Sequence, residues 1–374
     1  MRALKISVLV ILAVLALGIR MTESGERQLA RTIEDLLDLD VRPFAIAHRG
    51  FGDNLTLDSS GPADPSRPIE NTVAAVRKGF RAGASVVEVD VQLTRDGEVA
   101  VFHDDFFSDG TCLNHLTLAD LQHRAPFIPR LRDVLHEARR FNESSGPLRG
   151  LVILELKAAA PLCDPDDTQE HAIVAAVTEV VRGLRMTEQV MFTSFSPALL
   201  YIAAHQAPEI TRILTISGLQ FLTTEEVAAF FQLPVTPIKK KLSLGLQWAE
   251  LGPIFRLPGY RSTAEVFSTA AITAVRVVEA DLFFLSSAEK PFVDALHAFG
   301  LKALGFTATS PTEWFFLESL GLDGIYTNDV RFGVRHQAPS FQEFGDAHTL
   351  RGSERREDEP VDTVGSRSKL GRRR

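Results

Sequence analysis

Short runs rich in Val, Ile, Leu and Phe recur along the chain, separated by segments whose apolar residues return at helical spacing. Such alternation predicts parallel strands covered by helices. The strand runs are Phe44–Ala47, Val86–Leu93, Val99–Phe102, Leu151–Leu156, Val190–Thr193, Arg212–Ile216, Asp281–Leu285, Lys302–Phe306 and Gly324–Tyr326. Arg95-Asp96-Gly97 reads as a tight turn that makes the second and third runs a local hairpin. With one of the nine runs absorbed there, eight staves remain, the number of a TIM-type (β/α)8 barrel. Val73, Val76 and Phe80 line one helix face, Leu131, Val134, Leu135 and Ala138 another, and Ile173, Val177, Val180, Val181 and Leu184 a third. These stripes are core and carry no chemistry.

Other stretches depart from the repeat. From about Leu219 to Val278, roughly 60 residues separate neighbouring strand runs, with scattered Phe, several prolines and Lys239-Lys240-Lys241. A strand-helix connection is much shorter, so an insertion is expected at about 219–278, before the seventh-strand region, either helical or acting as a lid. The lysine run is read as a solvated face in preference to a lipid contact. Residues 337–374 are polar, with the acidic block Glu357-Asp358-Glu359 and a terminal Arg372-Arg373-Arg374, and are expected to be disordered. At the other end Arg2 and Lys5 precede an apolar run from Ile6 to Ile19. That length suits a signal peptide and is marginal for a span. Residues 1–20 are therefore read as a signal peptide or a retained membrane anchor, either of which implies an exported or membrane-anchored barrel over 42–336, on the periplasmic, extracellular or lumenal side.

A chain of 374 residues can bury one large core, so a single catalytic domain is the default. The formal charge of −8 argues against a nucleic-acid partner, which needs a basic face to displace counterions. Small anionic substrates need only local positive charge. Cys112 and Cys163 are too few for a disulfide scaffold. Both fall in loops after strands that carry polar residues, and one bridge or two free thiols are equally open.

The polar residues at the strand ends hold the chemistry. Ala47-His48-Arg49-Gly50 closes the first run, Glu70-Asn71 opens a helix, and Glu88-Val89-Asp90 lies within the second run. Residues two apart on a strand share a face, so Glu88 and Asp90 point the same way. Two such carboxylates in an apolar strand repel each other unless a cation lies between them. His103-Asp104 ends the hairpin, and Glu155 and Lys157 end the fourth run on one face. Three carboxylates meeting at a barrel mouth suit a hard divalent cation, Mg²⁺ or Ca²⁺. Taken singly, each histidine reads more readily as structural, while Glu155 with Lys157 is as readily a salt bridge, Glu70 as readily a favourable charge in a first helical turn and Asn71 simply its cap.

As an ordered set these pieces are specific. His-Arg-Gly, Glu-Asn, Glu-x-Asp, Asp-Gly, His-Asp and Glu-x-Lys, followed by Thr193-Ser194-Phe195 and Gly324-Ile325-Tyr326-Thr327-Asn328-Asp329, resemble the glycerophosphodiester phosphodiesterase family over about 44–330. The resemblance implies metal ligation by Glu88, Asp90 and Glu155, with Glu70 as a further ligand or close support. It implies acid-base catalysis by His48 and His103, and phosphoryl binding by Arg49 and Lys157. The expected reaction is metal-dependent hydrolysis of glycerophosphodiesters to sn-glycerol 3-phosphate and an alcohol. Lysophospholipids cleaved in lysophospholipase D fashion are the alternative substrate, favoured by the apolar N-terminus and the Phe-containing insertion. A non-catalytic barrel would have lost a ligand or a histidine, and neither is missing. Association with a membrane is expected only through the N-terminus. The chain departs from the family pattern in the roughly 20 residues between Gly50 and Glu70, and in lacking the arginine and threonine usual after His-Asp. Both changes bear on substrate identity more than on reaction type.

Overall fold

The structure, a computed structural model, describes residues 32–38, 43–52, 66–144, 150–223 and 255–337, together with 226, 227, 229, 241–243 and 246–251. Its strands are β1 (Phe44–Ala47), β2 (Val86–Leu93), β3 (Val99–Val101), β4 (Leu151–Leu156), β5 (Val190–Ser194), β6 (Thr211–Ile216), β7 (Lys241–Ser243), β8 (Leu246–Leu251), β9 (Phe255–Gly259), β10 (Val277–Asp281), β11 (Lys302–Ala308) and β12 (Gly324–Thr327). Its helices are α1 (Ile33–Leu37), α2 (Val73–Arg81), α3 (Leu118–Arg124), α4 (Leu131–Glu143), α5 (Glu170–Gly183), α6 (Pro197–Gln206), α7 (Thr263–Ile272), α8 (Leu282–Ala298), α9 (Pro311–Ser319) and α10 (Val330–His336).

Eight parallel strands in the order β1, β2, β4, β5, β6, β10, β11, β12 close on themselves, because β1 pairs with both β2 and β12. Closure leaves no open edge, and β3 runs antiparallel beside β2 as the expected hairpin. The strands are nearly continuous in burial, as a sheet covered on one side by helices and filled on the other requires.

Alternation along each strand sorts the interior into layers. Near the strand starts, Phe44, Ile46, Val86, Leu151, Ile153, Met191, Ile213, Val277 and Leu304 form an apolar floor, which α1 closes with Ile33, Leu36 and Leu37. One step toward the strand ends, the same inward faces carry Glu88, Asp90, Glu155, Thr193, Thr215 and Glu279, all but Glu155 fully buried. Register places Asp90 directly beside Glu155. An apolar floor beneath a polar mouth is the barrel arrangement that puts chemistry at the C-terminal ends of strands.

One strand differs from expectation. The run Asp281–Leu285 is not a strand: β10 ends at Asp281, whose carboxylate accepts from Phe284 N at 2.7 Å and caps α8. Phe284 and Leu285 are buried side by side while Phe283 is 47% exposed, so burial within the apolar tetrad follows the turn of a helix and not the alternation of a strand. In the inserted region, β7, β8 and β9 pair antiparallel where helix was one expectation, and α7 follows as a barrel helix. Gln337, where the polar tail was expected to begin, is buried and accepts from Ala45 N at 3.1 Å. The candidate signal or anchor at 1–20, the lysine pair Lys239-Lys240 and residues 338–374 lie outside the described residues. No helix among the described residues is long and apolar enough to cross a membrane.

Candidate active site

The end of β1 turns sharply. Arg49 and Gly50 take φ of 52° and 81°, and a Cβ on Gly50 would lie 2.6 Å from the Ala75 carbonyl carbon. Only glycine lets this turn press against the first turn of α2. The turn aims the Arg49 amide at Glu88 Oε2 (2.9 Å) and its guanidinium at Glu70 Oε1 (2.8 Å) and Asp90 Oδ2 (3.2 Å). Asn71, also left-handed at φ 58°, donates from Nδ2 to Asp90 Oδ2 (2.8 Å) and accepts from Asp90 N at 3.1 Å on its own Oδ1. Its side chain therefore locks Asp90 in place, and the helix cap is the neighbouring Thr72, which accepts from Ala75 N.

Glu88, Asp90 and Glu155 each bring an oxygen within 4.8 Å of the others. Glu88 Oε1 and Asp90 Oδ1 are buried and accept no hydrogen bond. Buried acceptors left without a donor are costly, and a hard cation with oxygen ligands is the partner that removes the cost. Glu70 stands outside this trio, paired with Arg49. Lys157 Nζ lies 3.5 Å from Glu155 Oε1 and 3.8 Å from Asp90 Oδ1.

The electrostatics follow from burial and crowding. Burial, with Asp90 and Glu155 alongside, pushes the Glu88 carboxyl well above its usual range, and burial raises Glu155 as well. Burial pushes Glu70 up to about 7 against the pull of Arg49. For Asp90 burial is outweighed by Arg49, His103 and Lys157, which hold it below the usual carboxylate range. The carboxylates in turn raise Arg49 and Lys157 in spite of burial, so both remain cations.

The two histidines face different partners. His48 Nδ1 bonds to Asn328 Oδ1 at 2.8 Å, and its Nε2 lies 4.0 Å from Glu88 Oε2. Burial and the adjacent Arg49 charge lower its imidazole to about 3, so His48 is neutral, donating from Nδ1 and presenting the Nε2 lone pair to the cluster. His103 Nδ1 instead meets the Asp104 carboxylate at 2.9 Å. His103, Glu155, Lys157, Phe195 and Phe306 line a cavity of about 500 Å³ at the mouth. The loops that carry His103 and Lys157 are joined by a disulfide between Cys112 and Cys163, which settles the choice the sequence left open.

The structure thus gathers His48, Arg49, Glu70, Glu88, Asp90, His103, Glu155 and Lys157 at one end of the barrel. It adds groups that sequence reasoning did not assign. Asn328 belonged to a recognised run, but nothing in that run marked its amide as the partner of His48. Glu279, under the cluster, accepts from Thr193 and Thr215 at 2.7 Å each and from the Tyr326 hydroxyl. A single glutamate in Val277-Val278-Glu279-Ala280 gave no sign of this network.

Fold and site define a (β/α)8 barrel that carries its polar machinery at the C-terminal mouth. Residues 48–331, about three quarters of the chain, match the profile of the Glycerophosphoryl diester phosphodiesterase family, and the chain belongs to that family. It is 27% identical over 175 residues to the uncharacterized protein YqiK of Bacillus subtilis (strain 168), covering 43% of this chain and 66% of that one. It is 40% identical over 84 residues to the probable glycerophosphodiester phosphodiesterase 1 of Mycobacterium tuberculosis, covering 21% of this chain and 26% of that one. These matches span just under two thirds of the first relative and about a quarter of the second. Among solved structures, a putative glycerophosphoryl diester phosphodiesterase from Silicibacter pomeroyi superposes with a TM-score of 0.58 at 19% identity, over 81% of this chain and 96% of that one. An Oleispira antarctica phosphodiesterase in complex with the product sn-glycerol-3-phosphate superposes with a TM-score of 0.50 at 20% identity, over 80% and 97%. At such identities the likeness shows the fold.

Proposed function

We propose that the barrel hydrolyses glycerophosphodiesters to sn-glycerol 3-phosphate and an alcohol, using a divalent cation. The observation that carries this reading is the trio of Glu88, Asp90 and Glu155 with its unsatisfied buried oxygens, set between two fixed cations and two histidines. Those three residues would hold Mg²⁺ or Ca²⁺, which when bound draws charge from the phosphoryl oxygens. Arg49 and Lys157 orient the same oxygens, Arg49 with the better fork. Neutral His48, presenting its Nε2 lone pair, takes a proton from the attacking water, whose oxygen bonds to phosphorus as the bond to the leaving oxygen breaks. His103, its ring held through Nδ1 by the Asp104 carboxylate, gives a proton to the leaving oxygen. The product bound to the Oleispira protein supports the same substrate class for this chain.

A lysophospholipid is the second reading, and Phe106, Phe195 and Phe306 on the cavity wall favour it. The Cys112–Cys163 bond supports an exported barrel, because disulfides persist in oxidising compartments. The test is release of glycerol 3-phosphate from glycerophosphocholine, and of lysophosphatidic acid from lysophosphatidylcholine, with Mg²⁺, with Ca²⁺ and with chelator. Turnover of the first that stops with chelator is expected. His48→Ala and His103→Ala should each lower kcat by about 100-fold or more. Activity that survives both changes would remove the acid-base assignment.

A further inference from the structure

Gln92 follows Glu88 and Asp90 on the inward face of β2 and is 6% exposed. Its amide Nε2 donates toward three successive carbonyls, Phe102 O at 2.9 Å, His103 O at 3.1 Å and Asp104 O at 2.9 Å. In an extended strand consecutive carbonyls point in opposite directions. Here the chain has left β3 after Val101 and curls around a single donor group, with Phe102 N still tied to Asp90 O at 3.1 Å. Carbonyls turned to the centre of an arc send its side chains outward, which is how His103 and Asp104 come to line the substrate cavity. Gln92 itself does not line that cavity; with Lys157 and Ala158 it lines a small void of about 20 Å³.

We propose that Gln92 is a positioning residue for proton transfer at His103: it shapes the backbone arc from which the imidazole reaches the leaving oxygen, without touching substrate. The same rigid strand then presents Glu88 and Asp90 and sets the distance from them to His103. The proposal rests on the reading of His103 as the general acid.

Gln92→Met keeps the length and removes the donor, while Gln92→Lys supplies an ammonium with three donors for three acceptors. On glycerophosphocholine, whose leaving alkoxide needs a proton, Gln92→Met should lower kcat by about 100-fold, the cost of misplacing a group by about 1 Å. On the p-nitrophenyl ester of glycerol 3-phosphate, whose leaving group departs without a proton, the loss should stay under about fivefold. KM and the calorimetric Kd for Ca²⁺ should move by less than about twofold, and Gln92→Lys should recover at least about tenfold of the lost kcat. Added to His103→Ala, Gln92→Met should cost nothing more. Equal losses on both diesters, or a further loss in the His103→Ala background, would overturn the proposal. A readout independent of turnover separates it from the functional reading. Hydrogen exchange over 102–107 should quicken by about tenfold or more in Gln92→Met while 151–156 stays protected. Unchanged exchange would sink the positioning role, whereas a wild type that cleaves neither diester would sink the functional reading.

Discussion

At the scale of single residues, what distinguishes the two histidines is the atom opposite Nδ1. An amide oxygen, as Asn328 offers His48, can accept a proton donor but cannot stabilise a positive ring as a carboxylate does. Asn328→Asp places a carboxylate there, and the sign of its effect follows. The imidazolium gains a partner, the pKa rises, and the neutral base persists only at higher pH. The acid limb of the kcat/KM profile should therefore move upward by about one to two pH units, and a limb that stays put would remove Asn328 from this role. If the trio holds the cation as proposed, Glu155→Gln should weaken Ca²⁺ binding in calorimetry by at least about tenfold, since it removes one of three carboxylates. Glu70→Gln, altering a partner of Arg49, should weaken it less. The charged and imidazole members of the site were legible in the sequence because their chemistry is intrinsic to the side chain. Asn71, Asn328 and Gln92 were not, because an amide's role is set by what faces it in space.

At the scale of elements, alternation and flanking turns marked seven barrel strands and the β2–β3 hairpin to within a few residues. The exception is instructive. Val277-Val278-Glu279-Ala280-Asp281 and Leu282-Phe283-Phe284-Leu285 are both short apolar runs, and periodicity cannot tell a buried strand from the first turn of a buried helix. The deciding signal was Asp281, which caps the helix from the strand's last position. The inserted strands β7 to β9 were unreadable for a different reason: prolines and scattered aromatics give neither period. The loops at the mouth carry their own prediction. The Cys112–Cys163 bond closes a span of 51 residues, worth about 4 kcal/mol by loop entropy. Cys112→Ser with Cys163→Ser should therefore lower Tm by about 5–10 °C in calorimetry, and no change would mean that packing alone fixes these loops.

For the whole molecule, the mouth is a store of protons. Glu70, pushed to about 7, and the raised Glu88 and Glu155 bind protons in the folded metal-free barrel that the unfolded chain has released above its ordinary carboxyl range. Their contribution to stability is present at low pH and declines as pH rises through 4.5 toward 7. His48 works in the opposite sense: its folded value of about 3 against 6.5 unfolded costs stability as pH falls below 6.5. A cation requires bare carboxylates, so its binding releases these protons and strengthens with pH. The rise in Tm on adding Ca²⁺ in place of chelator should be larger at about pH 7.5 than at about pH 5.5, and equal shifts would contradict the raised carboxyls.

The floor of the barrel bears on how substrate arrives. With α1 packed over Phe44, Ile46 and Leu304, the polypeptide enters from the face opposite the mouth. A molecule held at this closed end would turn its rim to open water, like a cup fixed at its base. Diesters dissolved in the surrounding fluid would reach such a rim directly. A lipid still embedded in a bilayer on the floor side would first have to leave it to reach the rim.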